Sequence, residues 1–581
     1  MCGIIGYTGR RDAAPLILEG LRKLEYRGYD SYGVATLGDG IELTKHQGRI
    51  SEYAGSTLRL HGKTGIGHTR WATHGVPNDA NAHPHTDCAG RIALVHNGII
   101  ENFAELRKEL AARGHTFTSD TDTEVVVHLI EERYARDRNL PAAVRDSLPL
   151  LKGSYALLVI AAGDDHLVAA RNGSPLVLGI GDREYFAASD MTPILEHTER
   201  AVFLEDGDMA SLTKNTVEIF QGTTPVTRPV ELVDWSIDDV KKGGFAHYML
   251  KEIYDEPQAF FNTIRALDTT ALPRIARHPP SVTIVACGSS YHAGLIFKYL
   301  LEKSCGIPAR LEFASEFKYF PPPVGGLVIG ITQSGETADT LAALREARSR
   351  NCQSLAVTNV LGSSVSRVAD ATLFMRAGPE ISVAATKSFV AQLAVLMYIT
   401  DQICGGNYKD VLLHAHNAIE ELLLLDLSDA VARCRDAASI FYIGRGPFYA
   451  VSLEGALKMK EITYIHAEGY AAGELKHGPF ALLSPETPVI AICLPGETYG
   501  VMVSNIKEVK ARGAPVIALG CEGDTELPDI VDIFIPIPGT HLFVQILSSL
   551  VVLQLLAYRT AVALGRDVDK PRNLAKSVTV E

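Results

Sequence analysis

The sequence lacks the features that define several large classes of protein. It has no basic excess, since 55 lysines and arginines stand against 68 aspartates and glutamates, a net charge of −13. A protein that coats nucleic acid needs a positive binding face, so that class is not indicated. The nine cysteines are odd in number and include no Cys-x-x-Cys pair. We therefore expect a reducing compartment, with no disulfide framework and no zinc site.

Long hydrophobic runs are also missing. No charged leader followed by an apolar core opens the chain, which argues against a signal peptide. The most apolar segment, residues 542–558, contains glutamine and serine and is shorter than the ~20 residues of a membrane span, so it is predicted to be a buried helix. Apolar residues still make up 46% of the 581 residues. That composition can fill several large cores, and the length suggests roughly three or four domains.

The pattern of strands and helices changes along the chain. Up to residue 225, short strand-like runs alternate with turns, and helices are predicted at 103–112 and 124–134, as in a layered α+β domain. A polar, turn-rich stretch at 226–247 is predicted to be a linker. Strand and helix patterns then alternate as in parallel α/β proteins, and Gly-rich turns recur near 288 and 444. We expect a duplicated domain, at 248–408 and 409–566, and a tail at 567–581.

Cys2 is the most informative residue of the first part. Without Met1 it carries both a thiol and a free α-amine, and the amine can accept the thiol proton near neutral pH. A cysteine at this position usually has no role, but here polar motifs follow at 67–75, 96–102 and 119–124. Arg70 and Asp122 in these motifs offer the opposite charges that an amino-acid zwitterion needs. Taken singly, surface charges and an Asn-Gly hairpin turn at Asn97 are the alternative interpretation.

The second half offers its own candidate motifs. The segment 332–337 supplies hydroxyls between a strand and a helix, which suits a phosphate cradle or, alternatively, an ordinary helix cap. Glu454, Lys458 and Glu461 share one face of a predicted helix, as a proton-transfer group or as a surface ion pair. His477, in a loop bounded by glycine and proline, is a candidate acid–base residue. After the strand at 282–287, a Gly-Ser loop is predicted before a helix from residue 293.

These motifs resemble those of a known family. The set in residues 2–225 resembles the N-terminal-nucleophile glutamine amidotransferases, and the second half resembles the isomerase half of the glutamine–fructose-6-phosphate aminotransferases. The resemblance covers essentially the whole chain. It implies a layered αββα glutaminase domain followed by two α/β sugar isomerase (SIS) domains with parallel sheets.

For the glutaminase part, the resemblance implies that Cys2 attacks the side-chain amide of glutamine. Asn97 and the N–H of Gly98 are then expected to form the oxyanion hole. The residues implied to bind glutamine are Arg70, Trp71, Thr73, His74 and Asp122. Trp71 is further implied to gate an internal channel that carries ammonia to the sugar.

For the isomerase part, the resemblance implies a binding set for the sugar phosphate and a catalytic set. The binding set is Ser290, Thr332, Gln333, Ser334, Thr337, Val383 and Ala385. Ala385 stands where serine is common in the family, so one contact to the sugar is expected to be lost. The catalytic set is His477, which opens the ring from the partner subunit of a homodimer, Lys576, which forms a Schiff base, Glu461, which moves the proton between C1 and C2, and Lys458, which stabilises charge.

The implied activity makes D-glucosamine 6-phosphate and L-glutamate from L-glutamine and D-fructose 6-phosphate, at the entry to UDP-N-acetylglucosamine synthesis. We expect a cytoplasmic homodimer with no metal, no organic cofactor, and no nucleic-acid or membrane partner. Two alternatives were considered. A glutaminase fused to a phosphoribosyltransferase would need an acidic pyrophosphate-binding motif, which the sequence does not contain. A sugar-phosphate sensor without catalysis would not need Cys2, Lys576 or His477.

Overall fold

The structure is a computed structural model that describes residues 2–52, 60–72, 74–233, 241–268, 272–277, 279–322 and 325–578. The chain divides into two compact units. The first comprises Met1–Val240, Gly362–Ser364 and Ala575–Glu581, and the second comprises Lys241–Leu361 and Val365–Leu574.

The described part of the first unit contains two antiparallel sheets. Its strands are β1 (Gly3–Thr8), β2 (Ser31–Leu37), β3 (Ile41–Gln47), β4 (Thr64–Arg70), β5 (His85–Thr86), β6 (Ile92–Ile100), β7 (Gly153–Ala161), β8 (Leu167–Asn172), β9 (Val177–Ile180), β10 (Tyr185–Ala188), β11 (Arg200–Phe203), β12 (Asp208–Leu212), β13 (Val217–Gln221), β14 (Thr224–Val226) and β15 (Glu231–Leu232). The eight-stranded sheet has the order β15-β11-β9-β10-β1-β4-β2-β3, and the seven-stranded sheet has the order β14-β13-β12-β8-β7-β6-β5.

Helices cover the outer faces of these two sheets. They are α1 (Ala13–Leu24), α2 (Phe103–Ala112), α3 (Glu124–Asp137) and α4 (Leu140–Ser147). Helix α1 packs on β1 and β4, and helices α2 to α4 share a core with the seven-stranded sheet. A second core, which includes Ile4, Val95 and Leu158, fills the space between the sheets. The layers therefore run αββα, which confirms the predicted fold of the amidotransferase part.

The second unit contains two five-stranded sheets within the described residues, and all of their strands are parallel. The strands are β16 (Val282–Ala286), β17 (Ala309–Phe313), β18 (Leu327–Ile331), β19 (Gln353–Thr358), β20 (Ala371–Phe374), β21 (Ser439–Gly444), β22 (His466–Ala471), β23 (Val489–Cys493), β24 (Val516–Cys521) and β25 (Ile533–Ile537). Their orders are β17-β16-β18-β19-β20 and β22-β21-β23-β24-β25. Because the two orders are the same, they support the internal duplication that the sequence predicted.

The helices of the second unit are α5 (Tyr248–Tyr254), α6 (Glu256–Asp268), α7 (Gly288–Leu300), α8 (Ala314–Phe317), α9 (Ala338–Ser349), α10 (Ser364–Val368), α11 (Lys387–Ile403), α12 (Lys409–Leu422), α13 (Ser428–Arg435), α14 (Pro447–Thr463), α15 (Tyr499–Lys510), α16 (Leu527–Ile530) and α17 (Leu542–Ala563). Helix α17 is long and apolar enough to cross a membrane by length and composition alone. Yet 89% of its most apolar window is buried inside the protein. It packs against α14, α12 and α13, as predicted for a core helix.

Helix α7 begins earlier than the sequence indicated. The sequence predicts a Gly-Ser loop and then a helix from residue 293. In the structure the helix begins at Gly288, directly after the turn that follows β16. Gly288 has φ of 55°, a left-handed conformation that glycine adopts without steric cost. This tight turn puts Ser289 and Ser290 in the first turn of the helix instead of in a loop.

The sequence predicts no disulfide framework, yet the structure contains one disulfide that the cysteine pattern does not indicate. Cys305 and Cys404 are bonded, although 99 residues separate them in the sequence. Cys305 ends a short π-helical segment after α7, and Cys404 follows the end of α11. The fold brings their Cα atoms to 5.3 Å, a normal spacing for a disulfide. Spacing along the chain does not reveal such a pair, because packing between two helices creates it.

Candidate active site

The first unit places Cys2 beside Trp71. Strands β1 and β4 pair antiparallel with Gly3 opposite Thr69, so the start of one strand meets the end of the other. The backbone N–H of Trp71 donates a hydrogen bond to Cys2 Sγ at 3.2 Å. A Cβ on Gly3 would lie 2.6 Å from Thr69 Oγ1, so the close pairing of the strands depends on this glycine.

Asn97 and Gly98 lie inside strand β6, and Asn97 contacts Cys2. The Asn97 Nδ2 group donates to the carbonyl oxygen of Cys2 at 2.9 Å. Gly98 has φ of 129°, and a Cβ there would lie 2.0 Å from the Ser154 carbonyl oxygen. Because both residues lie within a strand, the alternative of an Asn-Gly hairpin turn is excluded. The structure therefore brings Asn97, one of the two predicted oxyanion donors, to the residue predicted as the nucleophile.

Arg70 is buried with one side of its guanidinium in use. Its Nη2 donates to the carbonyl oxygens of His74 and Gly75, the latter at 3.1 Å. Its Nη1 is buried and has no hydrogen-bond partner within the part of the chain that the structure describes. A buried unpaired donor is costly, and a carboxylate is the group that best satisfies it. The geometry fits the predicted binding of an amino-acid carboxylate.

Asp122 supplies the negative counterpart. It is buried, and its Oδ2 accepts a hydrogen bond from the N–H of Ile100 at 2.8 Å. The remaining predicted glutamine ligands have aromatic neighbours: Trp71 meets Tyr29 edge-on with ring centroids 5.5 Å apart, and His74 meets Phe103 at 5.4 Å. Thr73 lies outside the described residues.

A buried network of histidines behind this site was not predicted. The Thr123 hydroxyl lies 2.9 Å from both His83 Nε2 and His96 Nδ1, and His68 Nε2 donates to the His96 carbonyl oxygen at 3.0 Å. Thr123 follows Asp122 and His96 precedes Asn97, so the network fixes two functional residues through their neighbours. Burial lowers the pKa of His68 to about 3 and that of His83 well below the ordinary value. These rings are therefore neutral at physiological pH. The sequence signal for the network was the recurrence of histidine within and between the motifs.

Burial also dominates the acidity of the nucleophile. It raises the pKa of the Cys2 thiol, while the Trp71 N–H and the charge of Arg70 work in the opposite direction. The thiol in this pocket is therefore mostly protonated, and its attack on a substrate needs a base to take its proton.

The second unit carries its candidate motifs where two neighbouring strands end. In a parallel sheet ordered 2-1-3-4-5, ligands bind outside the carboxyl ends of strands 1 and 3, where the chain order switches direction. Strands β16 and β18 occupy those positions, and the residues that follow them are Ser290 and the loop of Thr332, Gln333, Ser334 and Thr337. The structure thus supports a shared site for these residues.

The loop after β18 turns tightly into helix α9. Thr332 Oγ1 and Thr337 Oγ1 are 2.8 Å apart, and Gly335, with φ of 69°, makes the turn between them. Thr337 is the residue before the helix, yet its hydroxyl caps no helix N–H. The alternative of an ordinary cap is therefore not supported. The N-terminus of α9 suits an anion such as a phosphate.

Helix α14 buries the predicted triad of charges. Lys458 Nζ lies 2.5 Å from Glu461 Oε2 and 3.5 Å from Glu454 Oε1, and the Lys458 side chain is only 1% exposed. The alternative of a surface ion pair is therefore wrong. Burial lowers the pKa of Lys458, but Glu461 and Glu454 outweigh it and raise that pKa above its usual value. The amine is a fixed positive charge and not a proton donor at neutral pH.

Two further contacts join α14 to α7. Ser289 Oγ donates to Glu454 Oε1 at 2.8 Å, and His292 Nδ1 lies 2.7 Å from Glu454 Oε2. Ser290 Oγ accepts a hydrogen bond from Gln392 of α11 at 2.9 Å. His292 and Gln392 were not predicted as part of the site. A lone glutamine in the apolar run of α11 was the available signal for the second of them.

The segment that contains Val383 and Ala385 is held by buried carboxylates. Glu380 accepts hydrogen bonds from the N–H groups of Thr386 and Ser388, each at 3.0 Å. Val383 N–H donates to the Asp569 carbonyl oxygen at 3.0 Å. The Asp569 side chain in turn accepts from the N–H groups of Tyr248 and Met249, each at 2.9 Å. The start of the C-terminal tail is thus anchored beside this segment.

Two predicted catalytic residues lie outside the elements that carry this cluster. His477 ends a short 3₁₀ helix at Ala472–His477 and is exposed, with no hydrogen bond to Lys458 or Glu461 among the described residues. Lys576 is half-buried in the tail and belongs to the first compact unit.

Comparison with known proteins matches both parts of the chain. A glutamine amidotransferase domain model matches residues 68–196, and an SIS domain model matches 275–400 and 434–564. The chain is 48% identical to the glutamine–fructose-6-phosphate aminotransferase (isomerizing) of Thermococcus kodakarensis, and 100% of both chains is covered. The enzyme of the same name from Methanosarcina acetivorans is 46% identical, again with 100% of both chains covered. Among solved structures, the C-terminal domain of glucosamine-fructose-6-phosphate aminotransferase from Francisella tularensis matches with a TM-score of 0.54 and 36% identity, covering 57% of this chain and 100% of that one.

Proposed function

Because this chain belongs to the glutamine–fructose-6-phosphate aminotransferase (isomerizing) family, we propose how its own residues divide the reaction of that family. The chain transfers the amide nitrogen of L-glutamine to D-fructose 6-phosphate and isomerises the sugar, giving D-glucosamine 6-phosphate and L-glutamate. The first unit releases ammonia from glutamine, and the second unit adds it to the sugar. The observation that carries this assignment is the convergence of Cys2, Asn97 and the unpaired Nη1 of Arg70.

Cys2 is the proposed nucleophile. With Met1 removed, its own α-amine takes the thiol proton, and the sulfur attacks the side-chain amide carbon of glutamine. Asn97 has a second amide N–H beyond the one given to Cys2, and together with the Gly98 N–H it stabilises the oxyanion. When this intermediate collapses, the C–N bond breaks and ammonia leaves with the proton. Water then hydrolyses the thioester and releases glutamate.

The glutamine head group is held by a pair of opposite charges. Arg70 Nη1 binds the α-carboxylate, and Asp122 binds the α-ammonium group. Trp71, Thr73 and His74 complete this pocket. The arrangement selects free glutamine over a glutamine residue inside a peptide, because the α-amine and α-carboxyl group of an internal residue form amide bonds and carry no charge.

In the sugar half, the phosphate binds the hydroxyls after β16 and β18. Ser290, Thr332, Gln333, Ser334 and Thr337 form this cradle, and Val383 and Ala385 line the sugar chain. The helices α7 and α9 begin at these loops, so their N-termini favour an anion. The proposed site lies in two isomerase domains, 248–408 and 409–566, which follow the linker 226–247, and the tail 567–581 closes it.

The chemistry of the sugar half belongs to charged residues. Lys576 forms a Schiff base at C2 of the open-chain ketose, and water leaves. Ammonia then adds to C2 and displaces the lysine amine, so that C2 carries an imine with the new nitrogen. Glu461 takes a proton from C1 and returns it to C2, so that the ketose becomes an aldose. Lys458, positively charged between Glu454 and Glu461, stabilises the negative charge that develops during this transfer. Ammonia reaches the sugar inside the protein, and Trp71 gates its path.

His477 opens the fructose ring, and we assign it to the site of the partner subunit in a homodimer. Its exposure on a surface 3₁₀ helix supports this assignment, since an exposed side chain is available to a second subunit. The cytoplasm is the proposed location, in keeping with seven free cysteines out of nine.

Replacing the nucleophile tests the proposed function. The Cys2→Ala variant should lose glutamine hydrolysis and glutamine-dependent synthesis, yet it should bind D-fructose 6-phosphate with unchanged affinity. Cys352→Ala, a free cysteine in the second unit, is the matched control and should keep both activities. Intact-mass measurement verifies that Met1 is absent from each protein. Normal synthesis by Cys2→Ala would remove the proposed nucleophile.

A further inference from the structure

Four side chains with metal-binding atoms converge on the first unit, outside the proposed active site. They are Cys88, His115, His128 and Glu131, and their ligand atoms all lie within 4.8 Å of one another. None of them belongs to the motifs that the sequence analysis selected. The cysteine pattern indicates no zinc site, since it contains no Cys-x-x-Cys pair, and the members of this cluster are widely spaced along the chain.

Three separate elements bring the cluster together. Cys88 lies in the turn that follows β5, and His115 follows the end of helix α2. His128 and Glu131 are three residues apart on helix α3 and therefore project from the same face. His128 is buried, while His115 and Glu131 are partly buried and Cys88 lies at the surface. A cation could enter from solvent on the side of the cysteine.

The distances within the cluster fit a tetrahedral site. Cys88 Sγ is 3.6 Å from the Nδ1 atoms of both histidines, and Glu131 Oε2 is 3.0 Å from the same two atoms. With Zn–S near ~2.3 Å and Zn–N near ~2.0 Å, neighbouring ligands of a tetrahedral zinc lie roughly 3.3–3.6 Å apart. The four atoms need only small shifts to surround a zinc ion.

Hydrogen bonding alone explains the arrangement of these four side chains less well than metal binding does. Each Nδ1 atom can carry a single proton, and the Glu131 carboxylate already satisfies both histidines as an acceptor. A thiol is a weak hydrogen-bond partner, yet Cys88 Sγ lies at the same distance from both rings. Thiolate, imidazole and carboxylate together are the donor set of zinc, whereas Mg²⁺ and Ca²⁺ prefer oxygen alone.

A carboxylate outside the cluster orients the ring of His115, and a second carboxylate lies near the ring of His128 without a hydrogen bond to it among the described residues. His115 Nε2 lies 3.3 Å from Glu132 Oε1, and His128 Nε2 lies 3.9 Å from Glu124 Oε1. Metal-binding histidines commonly present their other ring nitrogen to a carboxylate, which leaves the first nitrogen free for the metal. Phe117 packs edge-on against His128 with ring centroids 4.8 Å apart and so covers the site.

We propose that Cys88, His115, His128 and Glu131 form a structural site for one zinc ion. Binding replaces the proton of the Cys88 thiol, which is released to solvent. Four protein ligands fill a tetrahedral shell and leave no position for substrate, so the ion has a structural role. It fastens the turn after β5 and the end of α2 to helix α3. Asp122 and Thr123 lie directly before α3, so the site also steadies the proposed glutamine pocket.

Cobalt substitution tests this site in the full-length protein. Chelator-treated protein is titrated with Co²⁺, and the expected result is saturation at about one equivalent, with tetrahedral absorption bands and an intense thiolate-to-cobalt band in the near ultraviolet. Zn²⁺ should then displace the cobalt and abolish the spectrum. Cys88→Ser should lose the thiolate band, whereas the control Cys352→Ser should keep it. A missing band in the native protein, or an unchanged band in Cys88→Ser, would overturn the proposal.

A second variant keeps the test decisive if Cys88→Ser folds poorly. Glu132→Gln retains all four ligands but removes the carboxylate next to His115, and it should weaken zinc binding by roughly 10–100-fold. Glu105→Gln, on helix α2 outside the cluster, is the control and should bind zinc as the native protein does. Equal zinc affinity in the native protein and Glu132→Gln would count against the assigned ligands. The heat stability of the chelated protein should rise on addition of zinc and fall again with chelator.

Discussion

Glu461 and Lys458 lie 2.5 Å apart, and the distance constrains the part that each can play. Lys458 is enclosed and positively charged, because the two glutamates on its helix raise its pKa above the usual value. Glu461 is the more accessible partner, with 20% of its side chain exposed. A residue that exchanges protons with a substrate has to reach it, so the accessible carboxylate is the better base and the buried ammonium the better electrostatic support.

Replacement of Glu461 should therefore separate the two half-reactions. Glu461→Gln keeps the size of the side chain but removes the base, so synthesis of glucosamine 6-phosphate should fall by roughly 10²–10⁴-fold. Glutamine hydrolysis should persist, since Cys2 and its neighbours belong to the first unit. The two rates are measured as sugar product and as glutamate, with exposed Glu486→Gln as the control. Product formation at the native rate would refute the role of Glu461.

At the scale of elements, strands β4 and β6 and the start of helix α3 are joined by buried neutral histidines. His68 lies in β4, His96 in β6, and Thr123 at the boundary of α3. Neutral imidazoles can donate to a carbonyl and accept from a hydroxyl without the cost of a buried charge. The network therefore stabilises these elements only while its rings stay unprotonated.

This network predicts that the first unit loses stability in mild acid. The pKa of His68 is about 3 in the folded protein against an ordinary 6.5, so between these values only the unfolded chain binds the proton. The contribution of His68 is complete above pH 6.5, and the free energy of unfolding should fall by about 1.4 kcal/mol per pH unit below it.

Tryptophan fluorescence offers a local measurement of this effect. Trp71, one of the two tryptophans of the chain, lies in the first unit directly after strand β4. The free energy of unfolding is measured by urea unfolding, followed by fluorescence, at several values between about pH 5 and pH 8. This free energy should depend less on pH in His68→Gln, because glutamine keeps a donor but does not titrate. The control is His61→Gln, because the His61 side chain is 75% exposed, and its unfolding free energy should depend on pH as that of the native protein does. If His68→Gln shows the same pH dependence of the unfolding free energy as the native protein, the His68 ring does not cause the loss of stability in acid.

For the whole molecule, the proposed exchange of His477 between subunits predicts complementation. Mixed dimers of Glu461→Gln and His477→Ala contain one site in which both residues are native, so refolding the two inactive variants together should restore part of the activity. Glu461→Gln mixed with Lys576→Met is the control, because both changes are assigned to one subunit's site and no native site forms. Recovery in the control alone, or in neither mixture, would place His477 within its own subunit's site.

The cysteines of the whole chain give a direct chemical count. The bond between Cys305 and Cys404 leaves seven free thiols out of nine cysteines. Thiol titration of the unfolded, unreduced protein should therefore give seven, and reduction should raise the count to nine. Cys305→Ser should give eight with or without reduction, since it removes one thiol and frees its partner. Nine thiols before reduction would show that the pair is open in solution.

The sequence by itself determined the order of elements and most of the chemistry. The helix at 103–112 was predicted to the residue, because apolar spacing and turn formers are local signals. Cys2, Asn97 and Arg70 were selected as a group from their motifs, and Glu454, Lys458 and Glu461 from the period of the helix.

Tertiary structure decided what depends on contacts between distant segments. Only packing buried Lys458 and so made it a fixed charge, and only the folded protein shows that Arg70 Nη1 is buried with no hydrogen-bond partner among the described residues. The same holds for the Cys305–Cys404 bond and for the cluster of Cys88 with His115 and His128, whose members lie far apart in the chain. Local propensities carry no information on such pairs, because pKa values, ligand sets and disulfides arise from the positions of atoms in the folded protein.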